Sequence, residues 1–449
     1  MKMMKRSILG VVTAVILISS WWFWRQITAQ TLDKFVYLPQ VARTETPMVE
    51  LRGLWVTRFD WTAWNGASPA RIDKIVQDAA AAGFNVLFFQ VRGTADAYYD
   101  STLEPWAKRA SGVYGQPPNP YWDPLTYMID KAHAAGLQVH AYLNIYPVAV
   151  CSDIPDAAVV PTPLYHQLIA AHGATLDDDG VTEKPNGLQW LQNNSVYCSG
   201  DAYLWGTPAS IFQDDHVISV ALDIANRYAI DGLHLDRIRY ASSAASCDPV
   251  SAEQSGVPCF TDAPAGYASY AAWQRAQVDG TVRRFYNEVI AAHPDLWLSA
   301  AVWPVHTIKP EWGWTEYYQQ GYATYYQDSK GWLAEGIIDS ISPMIYPSAV
   351  NCPDDNIYWT QTRWQTLVAD YQLESHGRYI IPGIGTQYCD FSEIEARITM
   401  ARAIGTAGHA LFSYSALESS GFFDDLAAGP YAQTAVIPPI PWRAAAGSE

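Results

Sequence analysis

Short apolar runs rich in β-branched and aromatic residues recur along the chain, and stretches with apolar residues at helical spacing separate most of them. The runs are 51–60 (LRGLWVTRFD), 85–93 (NVLFFQVRG), 137–146 (LQVHAYLNIY), 231–240 (DGLHLDRIRY), 296–303 (LWLSAAVW), 338–346 (IDSISPMIY), 379–387 (YIIPGIGTQ) and 408–414 (GHALFSY). The second run is too apolar to have a wet face, as expected of a strand in a parallel sheet covered on both sides. Helical patterns fill the intervals at 69–82, 123–135, 210–228, 270–292, 314–335, 358–371 and 391–404. Gly83 stands where a left-handed helix end is wanted, and Asp123 with Pro124 makes an N-cap followed by a first helical residue. Eight strands alternating with helices predict an α/β fold, a (β/α)8 TIM barrel over 51–428 with long loops at the C-terminal rim. The longest loops, 148–208 and 241–266, follow the third and fourth strands. Loops of that length in a compact domain are usually functional or disordered.

Residues of a strand alternate faces, so Leu233 and Leu235 share one side of the fourth run while His234 and Asp236 share the other. Gly232 reads as the turn into that strand. The inward positions are unusually polar elsewhere too: His140, Tyr142 and Asn144 on the third strand, Ser340, Ser342 and Tyr346 on the sixth, Gln387 ending the seventh. A purely structural barrel fills these layers with Val, Ile and Leu. Polar groups buried there are costly unless they bond to one another or to a ligand. The pattern therefore predicts a site at the C-terminal mouth.

The chain ends carry other signals. Lys2, Lys5 and Arg6 precede an apolar run at 8–24, the layout of a secretory signal. Residues 1–30 read as a signal peptide or an N-terminal membrane anchor, since no clean cleavage site follows the run. Residues 31–50 read as a linker and 429–449 as a Pro- and Ala-rich tail. Six cysteines, an even number, suit disulfides in an exported chain, extracellular or anchored to the outer face of the cytoplasmic membrane. Cys247 and Cys259 bracket one loop; Cys151 with Cys198 and Cys352 with Cys389 follow strands on one rim. None has the CxxC spacing of a zinc site. A net charge of −17 argues against nucleic acid as a partner. The 19 Trp and 28 Tyr suit a cleft that stacks rings against sugars.

Four stretches carry a family likeness: RGLWVT (52–57), FFQVRGTADAYYDSTLEPW (88–106), YWDPLTYMIDKAHAAGLQVHAYLNIY (121–146) and DGLHLDRIRY (231–240). In this order they resemble the bacterial glycosyl hydrolase-like 10 family of TIM-barrel glycoside hydrolases, over 51 to about 414. Beyond Tyr240 the match thins to Trp273, Arg284 and the strand ends. The resemblance implies a barrel acting on a bacterial polysaccharide, with the glycan strands of peptidoglycan as one candidate. Arg237 is a departure, because many relatives carry a second acid there.

Glycoside hydrolysis needs two carboxyl groups, one protonated and one ionised. Asp236 is the candidate for the ionised member, with Arg237 and Arg239 close by in sequence to favour its charge. Its competing role is a structural salt bridge. Asp96 leads as the acid because the family motif covers it, ahead of Glu104, Glu311 and Glu418; its competing role is an Asx turn bracing the loop. Arg58, Gln90, Arg92, Asn144, Tyr146, His234, Arg239 and Gln387 are candidate substrate binders, and Trp303 and Tyr346 candidate stacking rings. No cofactor or metal is called for, and the acidic loops 177–179 and 354–356 read as solvated. Two other functions stay open. One is a non-catalytic carbohydrate-binding barrel. The other is a metal-dependent polysaccharide deacetylase, which needs His140, His234 and Asp236 to converge. A second carboxyl within about 5–10 Å of Asp236 separates hydrolysis from binding alone.

Overall fold

Eight parallel strands form a closed ring in the computed structural model: β1 (Leu51–Val56), β2 (Val86–Arg92), β3 (Gln138–Asn144), β4 (Gly232–Asp236), β5 (Trp297–Val302), β6 (Ser340–Pro343), β7 (Tyr379–Ile380 and Gly383–Gly385) and β8 (Gly408–Phe412). The structure describes residues 46–444 apart from 65, 178–179, 199–201, 317, 348–349, 351 and 353–357. The signal-or-anchor segment, most of the linker, residues 178–179 of the first acidic loop and all of the second, 354–356, lie outside the described residues. Among the described residues no helix is long and apolar enough to cross a membrane.

β7 is one strand in two pieces, because Pro382 has no N–H to give to a ladder. The first piece pairs with β6 and the second with β8, which closes the barrel. Across the break, Ile381 N still donates to Ile341 O at 3.0 Å, and Ala410 N donates to Pro382 O at 3.0 Å.

Helices α1 (Pro69–Ala82), α2 (Pro124–Ala134), α3 (Ile211–Arg227), α4 (Tyr270–Arg284), α5 (Ser329–Glu335), α6 (Gln361–Leu373), α7 (Ser392–Ile404) and α8 (Tyr414–Ser420) follow the strands in turn. The predicted caps are there. Gly83 ends α1 at φ +89°, and the Asp123 carboxylate accepts the Leu125 and Thr126 amides at the start of α2. The main core lies between strands and helices and takes in Leu54, Leu87, Val139, Leu233 and Leu298. A second cluster fills the barrel itself with Trp55, Phe88, Tyr142, Trp297 and Ile381. Large rings fit this interior only beside small residues. A Cβ on Gly232 would come within 2.7 Å of both the His140 ring and the Trp297 carbonyl. Gly232 is thus the first residue of β4 and a point of close approach, not the turn its sequence neighbours suggested.

The expected helix over 314–335 is corrected. Among its described residues only Gly321–Thr324 and α5 are helical. Side chains in this stretch bond outward instead: Gln320 accepts the Ile308 amide at 2.9 Å and Gln327 the Trp303 amide at 2.8 Å. Tyr318, Tyr325 and Tyr326 are buried. Tertiary contacts have outweighed local helical spacing.

The described residues of the long loop after β3 carry regular structure. Its strand Pro147–Val150 pairs antiparallel with Tyr203–Trp205, and it contains the helix Leu164–His172. Disulfides join Cys151 to Cys198, Cys247 to Cys259 and Cys352 to Cys389. At the opposite end of the chain, Met48–Val49 pairs with Ala435–Val436, and Tyr431 is buried against Arg52 and His409. Residues 431–436 thus lie against the barrel.

Candidate active site

The layer beneath the mouth explains why β4 can bury a histidine. Trp55 Nε1 donates to His234 Nε2 at 2.9 Å, and an indole nitrogen can only donate. His234 therefore carries its proton on Nδ1, which faces Ser299 Oγ at 2.8 Å; that hydroxyl donates in turn to the Leu233 carbonyl at 3.3 Å. Burial pulls the imidazole down to about 3, so it is neutral. Phe88 stacks on it with ring centres 4.2 Å apart.

Asp236 stands one layer higher, at the C-terminal end of β4, and is 9% exposed. Tyr142 OH donates to its Oδ2 at 2.6 Å, and the Arg237 amide donates to its Oδ1 at 2.6 Å. Both oxygens act as acceptors, the pattern that fits an ionised carboxylate. Burial first, then the negative charge of Asp236, keeps the Tyr142 phenol well above its usual range, so it remains a donor. Arg237 has φ +53°, a left-handed conformation uncommon for a residue with a side chain. Its guanidinium lies over the rings of Tyr203 and Trp205, at 5.0 and 5.6 Å. Tyr346 lies in the field of Asp236 and stacks on Phe412, ring centres 4.8 Å apart and planes at 5°.

Asp96 belongs to the loop after β2. Its Oδ1 accepts the Thr94 amide at 2.7 Å, so the side chain braces the loop, but backward onto the amide two residues before it and not as the expected Asx turn, which takes the amide two residues on. Asp96 is 6% exposed, and burial raises its pKa against the opposing pull of the Thr94 amide and Arg58. Arg58 Nη1 donates to Gln90 Oε1 at 3.1 Å and Nη2 to Tyr203 OH at 2.5 Å. A Cβ on Gly93 would lie 3.0 Å from Asp96 Oδ1 and 3.1 Å from Arg58 Nε, so Asp96 and Arg58 flank one glycine. Asn144 Nδ2 donates to the Gly93 carbonyl at 3.0 Å, and Asn144 is in register with Asp236. The Asp96 loop thus stands two strands from Asp236, roughly 10 Å of backbone at the usual strand spacing. Asp236 holds hydrogen bonds as a carboxylate and Asp96 is pushed toward its acid form, a difference of the kind that can divide acid and base roles.

Residues 50–374 match the family described as glycosyl hydrolase-like 10. The chain belongs to the glycosyl hydrolase-like 10 family. By class it is a glycosidase. Among curated relatives of this family member, the glycosyl hydrolase YngK of Bacillus subtilis (strain 168) is 26% identical over 413 residues, which covers 88% of this chain and 74% of that one. The glycosyl hydrolase DigH of Escherichia coli (strain K12) is 26% identical over 325 residues, covering 68% and 67%. The solved glycoside hydrolase domain of PgaB (BpsB) from Bordetella bronchiseptica superposes with a TM-score of 0.55 at 12% identity, over 84% of this chain and 98% of that one. The α-L-fucosidase isoenzyme 2 from Paenibacillus thiaminolyticus gives 0.50 at 14% identity, over 85% and 49%. At such identities the structural likeness is one of fold.

Within this family barrel the candidates separate into groups. Asp236 and Asn144 stand in register at strand ends and Tyr346 lies in the field of Asp236, while Asp96 and Arg58 flank Gly93 with Gln90 bonded to Arg58; Asn144 and Gln90 are buried. Arg239 and Trp303 line the next wall, the Arg239 guanidinium 5.4 Å from the Trp303 ring centre. Gln387 is half-buried in the β7 loop, with Oε1 accepting the Thr386 amide at 2.9 Å and Nε2 donating to the Pro347 carbonyl. Three expected binders are corrected. Arg92 is fully buried, with Glu104 taking Nε and Nη2 and the carbonyls of Asn144 and Ile145 taking Nη1. Tyr146 points away from the mouth, its OH 2.8 Å from Thr281 Oγ1 on α4. His234 spends both nitrogens on Trp55 and Ser299.

The other acid candidates are also engaged or remote. Burial alone would raise Glu104, but Arg92 and His216 outweigh it and hold the carboxyl at about 2. Glu418 forms a twin ion pair with Arg71, at 2.9 and 2.8 Å. Glu311 is exposed on a turn after β5. Tyr142 is the partner of Asp236 that pattern reading left without a role. Its inward position was visible, but its bond to a residue 94 positions away was not.

Proposed function

We propose that the protein is an exported glycoside hydrolase that cleaves a bacterial polysaccharide, with peptidoglycan glycan strands as the first substrate to try. Asp96 protonates the leaving glycosidic oxygen, and Asp236 faces the sugar carbon as it develops positive charge, as nucleophile or as base for water. Arg58, Gln90, Asn144 and Tyr346 hold the sugar. The observation that carries this reading is the pair of 2.6 Å hydrogen bonds that aim the Asp236 carboxylate at the end of a barrel strand. Family membership supports the chemistry, and three disulfides suit an oxidising compartment. Residues 1–30 would then serve as signal or anchor. The deacetylase alternative lacks support from its ligands, since neither nitrogen of His234 has a lone pair left for an ion.

Asp236→Asn keeps the shape and removes the charge. Groups of this kind supply on the order of 3–4 kcal/mol, so turnover should fall at least ~100-fold while glycan binding and melting temperature stay near wild type. Reducing-end release from peptide-free glycan strands and from common exopolysaccharides reads the first quantity. Lost stability with retained turnover would assign Asp236 a structural role, and binding without turnover by the wild type would favour the carbohydrate-binding barrel.

A further inference from the structure

Beside the mouth lies a pocket of about 310 Å³ lined by Trp303, Tyr318, Gln319, Tyr358 and Trp359. We propose that it is a second sugar subsite, seating a pyranose ring of the same glycan at a unit removed from the bond held at Asp236. The proposal rests on the glycan-cleaving reading of the mouth.

Continuity with the mouth is the first argument. Leu235 is in register with Ala300, so Trp303 stands one strand across from Asp236 and two residues farther out. At ordinary strand geometry that is about 8 Å of backbone. Arg239, three residues after Asp236, lies over both the Trp303 and Tyr325 rings at 5.4 and 5.3 Å. A glycan leaving the mouth on this side runs onto Trp303.

The second argument is the form of the pocket. Packed aromatic cores leave few voids larger than a water molecule, yet these rings surround open space, and Tyr358 is 42% exposed. Aromatic faces with a few polar groups at the edge are what a sugar needs, since its C–H faces lie on rings and its hydroxyls bond at the rim. The rings are held in place. Trp303 Nε1 donates to the Gln319 carbonyl at 2.8 Å, and Tyr325 OH donates to Gln319 Oε1 at 2.7 Å. Tyr318 packs on Tyr358 and Trp359 with centres 5.4 and 5.9 Å apart. At the rim the Arg363 guanidinium lies over Tyr318 and Tyr358 and pairs with Glu316 at 2.7 Å. Rings fixed before binding lose little freedom on contact with a ligand.

The test uses the full chain in the Asp236→Asn background, so that strands are bound and not consumed. The probes are peptide-free peptidoglycan glycan strands sorted by length. Adding Tyr358→Ala should weaken long strands about tenfold and the shortest ones less, whereas Tyr358→Phe, which keeps the ring, should stay within about twofold. Strand binding should quench tryptophan fluorescence, and Trp359→Phe, which keeps a ring in the pocket, should reduce that amplitude. Equal affinity with and without the Tyr358 ring, equal loss at every length, no strand binding at all, or an unchanged quench in Trp359→Phe overturns the subsite. Failure of the catalytic reading appears separately, as turnover retained by Asp236→Asn.

Discussion

Two carboxyl groups of the same chemistry, at the end of β4 and in the loop after β2, sit in unlike surroundings. Asp236 accepts hydrogen bonds on both oxygens, from a tyrosine and from an amide bent back by a left-handed residue. Asp96 has one such bond, and its burial raises its pKa. If Asp96 is the acid, activity belongs to its protonated form, so kcat/KM falls as pH rises through its pKa. Asp96→Asn should remove that alkaline limb. It should slow cleavage of natural glycans by ~10²–10⁴-fold, and cost far less on aryl glycosides whose leaving group needs no proton. Profiles of kcat/KM against pH on both substrate types check this, and an alkaline limb surviving in Asp96→Asn would move the acid role elsewhere.

The loop elements at the rim build a wall of the site as well as covering it. The segment after β3 leaves as Pro147–Val150 and returns as Tyr203–Trp205, and the returning strand supplies the rings under Arg237 and the hydroxyl that holds Arg58. Cys151–Cys198 ties this excursion across 47 residues, whereas Cys247–Cys259 spans 12. Loop-closure entropy assigns about 4 kcal/mol to the first and about 3 kcal/mol to the second. Denaturant unfolding of Cys151→Ser/Cys198→Ser should therefore show the larger loss. Its kcat/KM should fall too, because Tyr203 and Trp205 lose their tether. A variant with both losses reversed in rank would mean that the insertion is held by packing and not by its disulfide.

For the whole molecule, two sets of buried carboxyls set opposite slopes of stability against pH. Burial pushes Asp214, Asp248 and Asp279 each up to about 7. Such groups hold protons more tightly folded than unfolded, so stability is lost as pH rises from about 4 to about 7. Glu50 and Glu104 behave oppositely. Burial would raise them, but their arginine and histidine partners hold both at about 2. Their contribution is full above about 4.5 and lost as pH falls toward 2. The melting temperature should therefore peak in acidic solution, near pH ~4, where the two windows cross, and decline steadily toward pH 8. Calorimetry across this range checks the peak, and Asp279→Asn should flatten the upper slope. A melting temperature that rises steadily to pH 8 would contradict these burial effects.

Period and punctuation alone carried the strand count, the barrel and the caps at Gly83 and Asp123, because each is a local or parity property of the chain, and the three cysteine pairs followed from placing loops on one rim of that barrel. The same parity put Asp236, Tyr142 and His234 inward. It did not divide residues that face the mouth from residues that serve the frame. His234 bonds to Trp55, 179 positions away, and Tyr146 to Thr281, 135 away. Arg92 is neutralised by Glu104 only because the loop between them folds back. The break in β7 at Pro382 and the unwinding of 314–335 around Gln320 and Gln327 likewise depend on neighbours brought in by the closed barrel. A polar side chain's role follows from whether its hydrogen bonds are met inside the protein, and only the tertiary structure supplies the partners that meet them.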